Sequence, residues 1–142
     1  MGAVPALLWL PWLAALSGYD IRQRRLPNWL TLPGAIAVLV VAAGTRHGVA
    51  ALTGAAALAA VYLLVHLAAP TALGAGDVKL AVGVGALTGS FGVEPWLLAA
   101  LTAPLLTGLC GLAVLVCRGA RTVPHGPSMC LASTTAMLLA AA

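Results

Sequence analysis

Residues 49–69 run without a single Asp, Glu, Lys or Arg. At 1.5 Å per residue a helix of that length spans about 30 Å, the thickness of a bilayer's hydrocarbon layer. In lipid such a stretch must be helical, because only a helix satisfies its backbone hydrogen bonds internally. Similar apolar runs occupy about 3–19, 31–45, 78–91, 95–117 and 127–142. Only 7% of the sequence is charged and 62% is hydrophobic, whereas roughly a quarter of a soluble domain is charged. The expected fold is all-α, a polytopic membrane protein of about six transmembrane helices. Connections are short, so residues 1–142 are expected to form a single integral-membrane domain. The second and fourth runs are short and need neighbouring protein or interfacial residues to complete a crossing.

MGAVPALLWLPWLAAL is apolar like a signal peptide but has no Lys or Arg ahead of its hydrophobic stretch, so it reads as a retained first helix bent at Pro5 and Pro11. Cys110, Cys117 and Cys130 form no C-x-x-C pair and read as small packing residues. Gly83, Gly85, Gly108 and Gly111 read as close-packing surfaces between helices.

Positively charged loops stay cytoplasmic. With the N-terminus outside, the inner loops carry Arg22, Arg24, Arg25, Lys79, Arg118 and Arg121, and the outer loops carry only Arg46. This orientation in an inner membrane puts the end of the first span and the start of the fourth on the same face. Two of the three acidic residues lie there: Asp20 in SGYDIRQRRLPN and Asp77 in GAGDVK, the third being Glu94. Packing span one beside span four would bring the two aspartates together at the cytoplasmic boundary. An Asp at a helix start is commonly an N-cap, the reading that Asp77 alone would receive. Two such groups at one membrane depth point instead to function, because half-buried charge there is expensive.

The flanking residues suit a site. Gly74 and Gly76 accept backbone angles closed to other residues and let another chain approach, so alanine at Gly76 is expected to impair function with little loss of protein. Leu26 before Pro27 is pushed toward an extended form, so LPNWL, with Pro27 and Asn28, is expected to skim the interface before Thr31 and Pro33 open the second helix. Arg22, Arg24 and Arg25 set topology and contact anionic membrane lipid. Lys79 either holds Asp77 ionised or touches substrate. His66 reads as a helix–helix hydrogen-bonding group that could also face the aspartates, and His125 as an interfacial loop residue.

These motifs together resemble the prepilin peptidases, or type IV leader peptidases, membrane aspartic proteases of the G-x-G-D class. The matching residues are Asp20, Leu26-Pro27-Asn28, Leu30-Thr31-Leu32-Pro33, Gly74-Ala75-Gly76-Asp77-Val78-Lys79 and Pro124-His125-Gly126-Pro127. Position 125 is His where the family more often has an aromatic. The cysteine-paired, N-methylating domain that many members carry is not expected here, because the chain begins at the first span.

The resemblance implies an aspartic endopeptidase that cleaves a prepilin or pseudopilin precursor at the cytoplasmic face, just before its hydrophobic segment. Asp20 and Asp77 would be catalytic, supported by Gly74, Gly76, Lys79, Pro27 and Asn28. Two carboxylates sharing one proton supply both base and acid to a water-mediated cleavage, so no metal or organic cofactor is required, and no nucleic-acid partner is expected. The alternatives are a small proton- or ion-coupled transporter using the paired carboxylates, a structural subunit of a secretion apparatus, and a serine protease built on Ser17 and His66.

Overall fold

The computed structural model describes residues 3–118 and 123–141, with side chains from Leu8 onward except that of Arg118. Every regular element among the described residues is an α-helix: α1 Ala3–Gln23, α2 Asn28–Gly44, α3 Gly48–Ala68, α4 Ala75–Phe91, α5 Val93–Arg118 and α6 Gly126–Ala141. Each expected apolar run falls on one of them. Arg121, counted above among the inner charges, lies outside the described residues. Gly48–Ala68 and Val93–Cys117 are long and apolar enough to cross a membrane, and α2 and α6 are shorter apolar helices.

α4 is the centre of the bundle, with every residue from Gly83 to Ser90 buried. Its most extensive partner is α3, and small residues at helical spacing explain why. A Cβ on Gly85 would lie 2.5 Å from the Gly54 carbonyl oxygen, and one on Gly89 would lie 2.7 Å from that of Ala50. The two backbones therefore touch, a packing mode suited to lipid, where van der Waals contact rather than water expulsion holds helices together. Buried Thr88 and Ser90 bond the carbonyls of Val84 and Leu87 in their own helix, so this dry seam carries no orphaned hydroxyl. At Gly92 the backbone turns with φ +128°, a left-handed conformation that glycine adopts without penalty, and α5 starts at once.

α1 lies mainly along α6 rather than beside α4. Trp12 nevertheless reaches across: its ring packs on Gly34 of α2 and Gly83 of α4, and its Nε1–H donates to the Leu30 carbonyl at 3.0 Å. Gly83 and Gly85 thus act as the close-packing positions expected of them. Gly108 and Gly111 do not, since a Cβ at either would meet nothing within 4 Å. Cys130 is buried and packs in the core, but Cys110 and Cys117 are exposed on α5. α5 is long and largely exposed, so its small residues are not all needed for contact.

The second helix opens earlier than expected. Pro27, extended at φ −69° and ψ 133°, is its N-cap, and α2 begins at Asn28, leaving Pro33 inside the helix. The Pro27 carbonyl accepts the N–H groups of Leu30 and Thr31 and the Thr31 hydroxyl at 3.1 Å. This concentration of donors on one carbonyl starts the helix without an interfacial stretch through Trp29.

Candidate active site

Asp20 sits in the last turn of α1, four residues after Leu16 and seven after Leu13, on the same helical face. Leu13 and Leu16 are core residues, so the stripe that packs α1 also carries Asp20 inward, to 7% exposure. What receives it is the start of α6. The Gly126 N–H donates to Asp20 Oδ2 at 3.0 Å, and a Cβ on Gly126 would lie 2.6 Å from that oxygen. Glycine is therefore the residue that lets a helix N-terminus, with its unsatisfied N–H groups and positive dipole end, close on the carboxylate. Arg24 follows the end of α1 with φ +50°, its N–H bonded to the Asp20 carbonyl at 2.9 Å.

Asp77 is placed by its own helix. Gly74 is the N-cap of α4, and Asp77, three residues on, folds back so that Oδ2 accepts the Gly74 N–H at 3.2 Å. The sequence expectation of Asp77 as an N-cap is thus corrected: it is the acidic residue of the first turn, where a carboxylate both satisfies a free N–H and meets the helix dipole. The expectation of special backbone angles at Gly74 and Gly76 is also corrected. Gly74 is extended at φ −74° and ψ 152°, Gly76 is helical, and among the described residues the positive-φ glycine is Gly92. A Cβ on Gly76 would make an ordinary contact with Leu26 at 3.6 Å. What these glycines give the site is an uncluttered wall.

The two aspartates line one cavity of about 320 Å³ together with Arg24, Arg25, Leu26, Gly74, Ala75, Gly76 and Lys79. They are electrostatically coupled. Burial, and after it the charge of Asp20, push the Asp77 carboxyl up to about 6, against the opposing Gly74 N–H. Burial also raises Asp20, opposed by the Gly126 N–H and the Arg24 charge. Both carboxylates are thus disfavoured as anions by desolvation, and Asp77 also by the charge of Asp20, a situation suited to a pair that holds one shared proton.

Pro27 and Asn28 stand at the start of α2, and Asn28 Oδ1 accepts Lys79 Nζ at 2.9 Å. Lys79 therefore ties α4 to α2 beside the cavity, a role that neither sequence expectation for it included. His66 bonds the Leu73 carbonyl through Nδ1 at 2.7 Å. A carbonyl can only accept, so Nδ1 carries the proton, and His66 fixes the loop that leads into Gly74 rather than joining helices or facing the aspartates. His125 is half-buried and bonded on both ring nitrogens, to Tyr62 and Thr107, not an open interfacial residue. Burial pulls its pKa down. The Ser17 hydroxyl is committed to the Leu13 carbonyl at 3.0 Å, which leaves a Ser17–His66 pair without geometric support.

The role of Gly126 as the cradle of Asp20 was not legible in Pro124-His125-Gly126-Pro127, because nothing local shows which carboxylate will meet it. No curated protein and no solved structure matches the chain significantly. The model of the type IV leader peptidase family matches residues 7–116, most of the chain and both aspartates, and the chain belongs to that family of membrane-embedded peptidases.

Proposed function

We propose that this protein is an aspartic endopeptidase that removes the leader of prepilin or pseudopilin precursors at the cytoplasmic membrane face, with Asp20 and Asp77 as its catalytic residues. The observation that carries the reading is the meeting of two aspartates, 57 positions apart and the only two in the sequence, in one cavity where each accepts a backbone N–H and the charge of one raises the pKa of the other.

Asp20 is the better anion, with the N-terminus of α6 and Arg24 beside it. Asp77, held near 6, is the better proton holder. Asp20 removes a proton from water as the water oxygen bonds to the scissile carbonyl carbon, and Asp77 gives its proton to the carbonyl oxygen. The resulting diol collapses: the C–N bond breaks, Asp20 passes its proton to the leaving amine, and Asp77 recovers one from the diol hydroxyl. The bare wall at Gly74 and Gly76 gives an extended peptide backbone access to Asp77, while the Lys79–Asn28 bond and Pro27 hold the adjoining edge. With the N-terminus outside, this end of the bundle faces the cytoplasm, where the basic residues Arg22, Arg24 and Arg25 meet anionic lipid.

A proton relay would need polar groups continuing from the cavity through the bundle. Thr88, Ser90 and Ser133 in the helices above are instead closed onto their own backbones. The deciding experiment is co-expression with prepilin-like precursors and intact-mass measurement of each. Loss of the leader with the parent enzyme but not with Asp77→Asn is the expected result. Absence of processing for every precursor overturns the proposal.

A further inference from the structure

We propose that His125 is a positioning residue for the aspartate pair: as the neutral Nδ1–H tautomer it clamps the start of α6 to α3 and α5, and so holds the Gly126 N–H on Asp20. The inference rests on the peptidase reading for its consequence in catalysis, but its geometry stands without it.

The tautomer follows from hydrogen-bond accounting. The Thr107 hydroxyl donates to the Ala103 carbonyl in its own helix at 3.1 Å, so its oxygen is left to accept from His125 Nδ1–H. Nε2 is then unprotonated and accepts the Tyr62 O–H at 2.8 Å. Burial favours this neutral ring. Tyr62 is a core residue of α3 and Thr107 belongs to α5, so the imidazole is fixed from two helices at once. Its backbone is fixed as well, because the His125 carbonyl accepts the Met129 N–H in the first turn of α6. The next residue is Gly126, whose contact with Asp20 leaves no slack: its missing Cβ would overlap the carboxylate. A ring anchored on both edges, one peptide away from the N–H that stabilises the Asp20 anion, sets where that N–H points. The titratable and charged groups around Asp20 are Arg24, which favours its anion, Arg25, Asp77 and Lys79 in the same cavity, and the Cys130 thiol of α6; a change at position 125 replaces none of them.

The test is a titration of the full-length protein labelled with 13C at aspartate carboxyls, which yields two signals because the sequence holds two aspartates. In His125→Ala, and in a Tyr62→Phe/Thr107→Val double variant that keeps His125 but removes both anchors, the Asp20 midpoint should rise by about one pH unit, the size expected for losing a hydrogen bond to a charged group. The acid limb of the kcat–pH profile should move up with it, KM staying near the parent value. Restoring the donor toward Thr107 with His125→Asn should return part of the shift. If His125→Ala does not accumulate as folded protein, the double variant carries the same measurement. An Asp20 midpoint unchanged in the variants that fold overturns the proposal and leaves His125 as packing. A shifted midpoint in a protein that cleaves no precursor upholds the clamp and sinks the peptidase reading instead.

Discussion

Asp20 is held by a different helix, and Asp77 by its own. The first is nearly buried, with Gly126 of α6 so close that a methyl group would overlap its carboxylate. The second leans on the N–H of its own N-cap, Gly74, at a helix start where Gly76 leaves room for a side chain. One half of the site is therefore a product of tertiary packing and tolerates no displacement, whereas the other is a local capping interaction that survives changes around it. The difference suits the proposed chemistry, since the rigid half holds the anion and the roomier half meets the substrate.

The largest expected effect comes from removing either carboxylate. Asp20→Asn and Asp77→Asn should each lower cleavage by 10²-fold or more, the usual contribution of a positioned acid or base, and the double variant should lose little beyond either single one. A single variant that keeps about a tenth of parental activity would refute the shared-proton pair. Asp20→Asn also removes one of the two causes that raise Asp77, so the remaining aspartate should titrate below about 6. The sign for stability follows: because folding raises the Asp77 pKa, the folded form holds that proton more tightly. Its contribution is complete below the ordinary value near 3.8 and is lost as pH rises through about 6. Thermal unfolding of the parent from pH 3.5 to 7 should show that decline, reduced in Asp77→Asn.

Next in size is Gly126→Ala. Its Cβ must push Asp20 or α6 aside, and a displacement near 1 Å costs on the order of 10²-fold. Cleavage rate per inserted enzyme measures it, and near-parental activity would show that the rigid half is softer than its packing indicates. Gly76→Ala should be milder, a few-fold loss of cleavage with unchanged protein yield, because within the chain the methyl group fits beside Leu26 and only an approaching peptide meets it. Equal specific activity for Gly76→Ala and parent would remove the substrate from that wall.

The smallest functional effects lie away from both halves. Gly85→Ala, overlapping the Gly54 carbonyl, should cost roughly 1–3 kcal/mol of stability and reduce folded protein without changing activity per molecule. Gly108→Ala, facing open space on α5, should change neither beyond about 0.5 kcal/mol. Thermal melting of the two in detergent compares them directly, and equal melting shifts would mean that the α3–α4 seam is looser than drawn.

Apolar run length and charge placement determined the helices of this protein from sequence alone, because a helix in lipid is dictated locally: backbone satisfaction and hydrophobicity act within each segment. The same local rules set Asp20 and Asp77 at helix ends on one side of the bundle. Tertiary structure decided what meets them. α1 approaches α6 rather than α4, so Gly126 reaches Asp20 from 106 positions away. Lys79 turns to Asn28, His66 to Leu73, and His125 to Tyr62 and Thr107. Glycine at 85 is a backbone contact and glycine at 108 is not, though both read alike in sequence. Such pairings depend on which faces of which helices coincide, and that is fixed by close packing summed over the whole bundle rather than by any one segment's pattern.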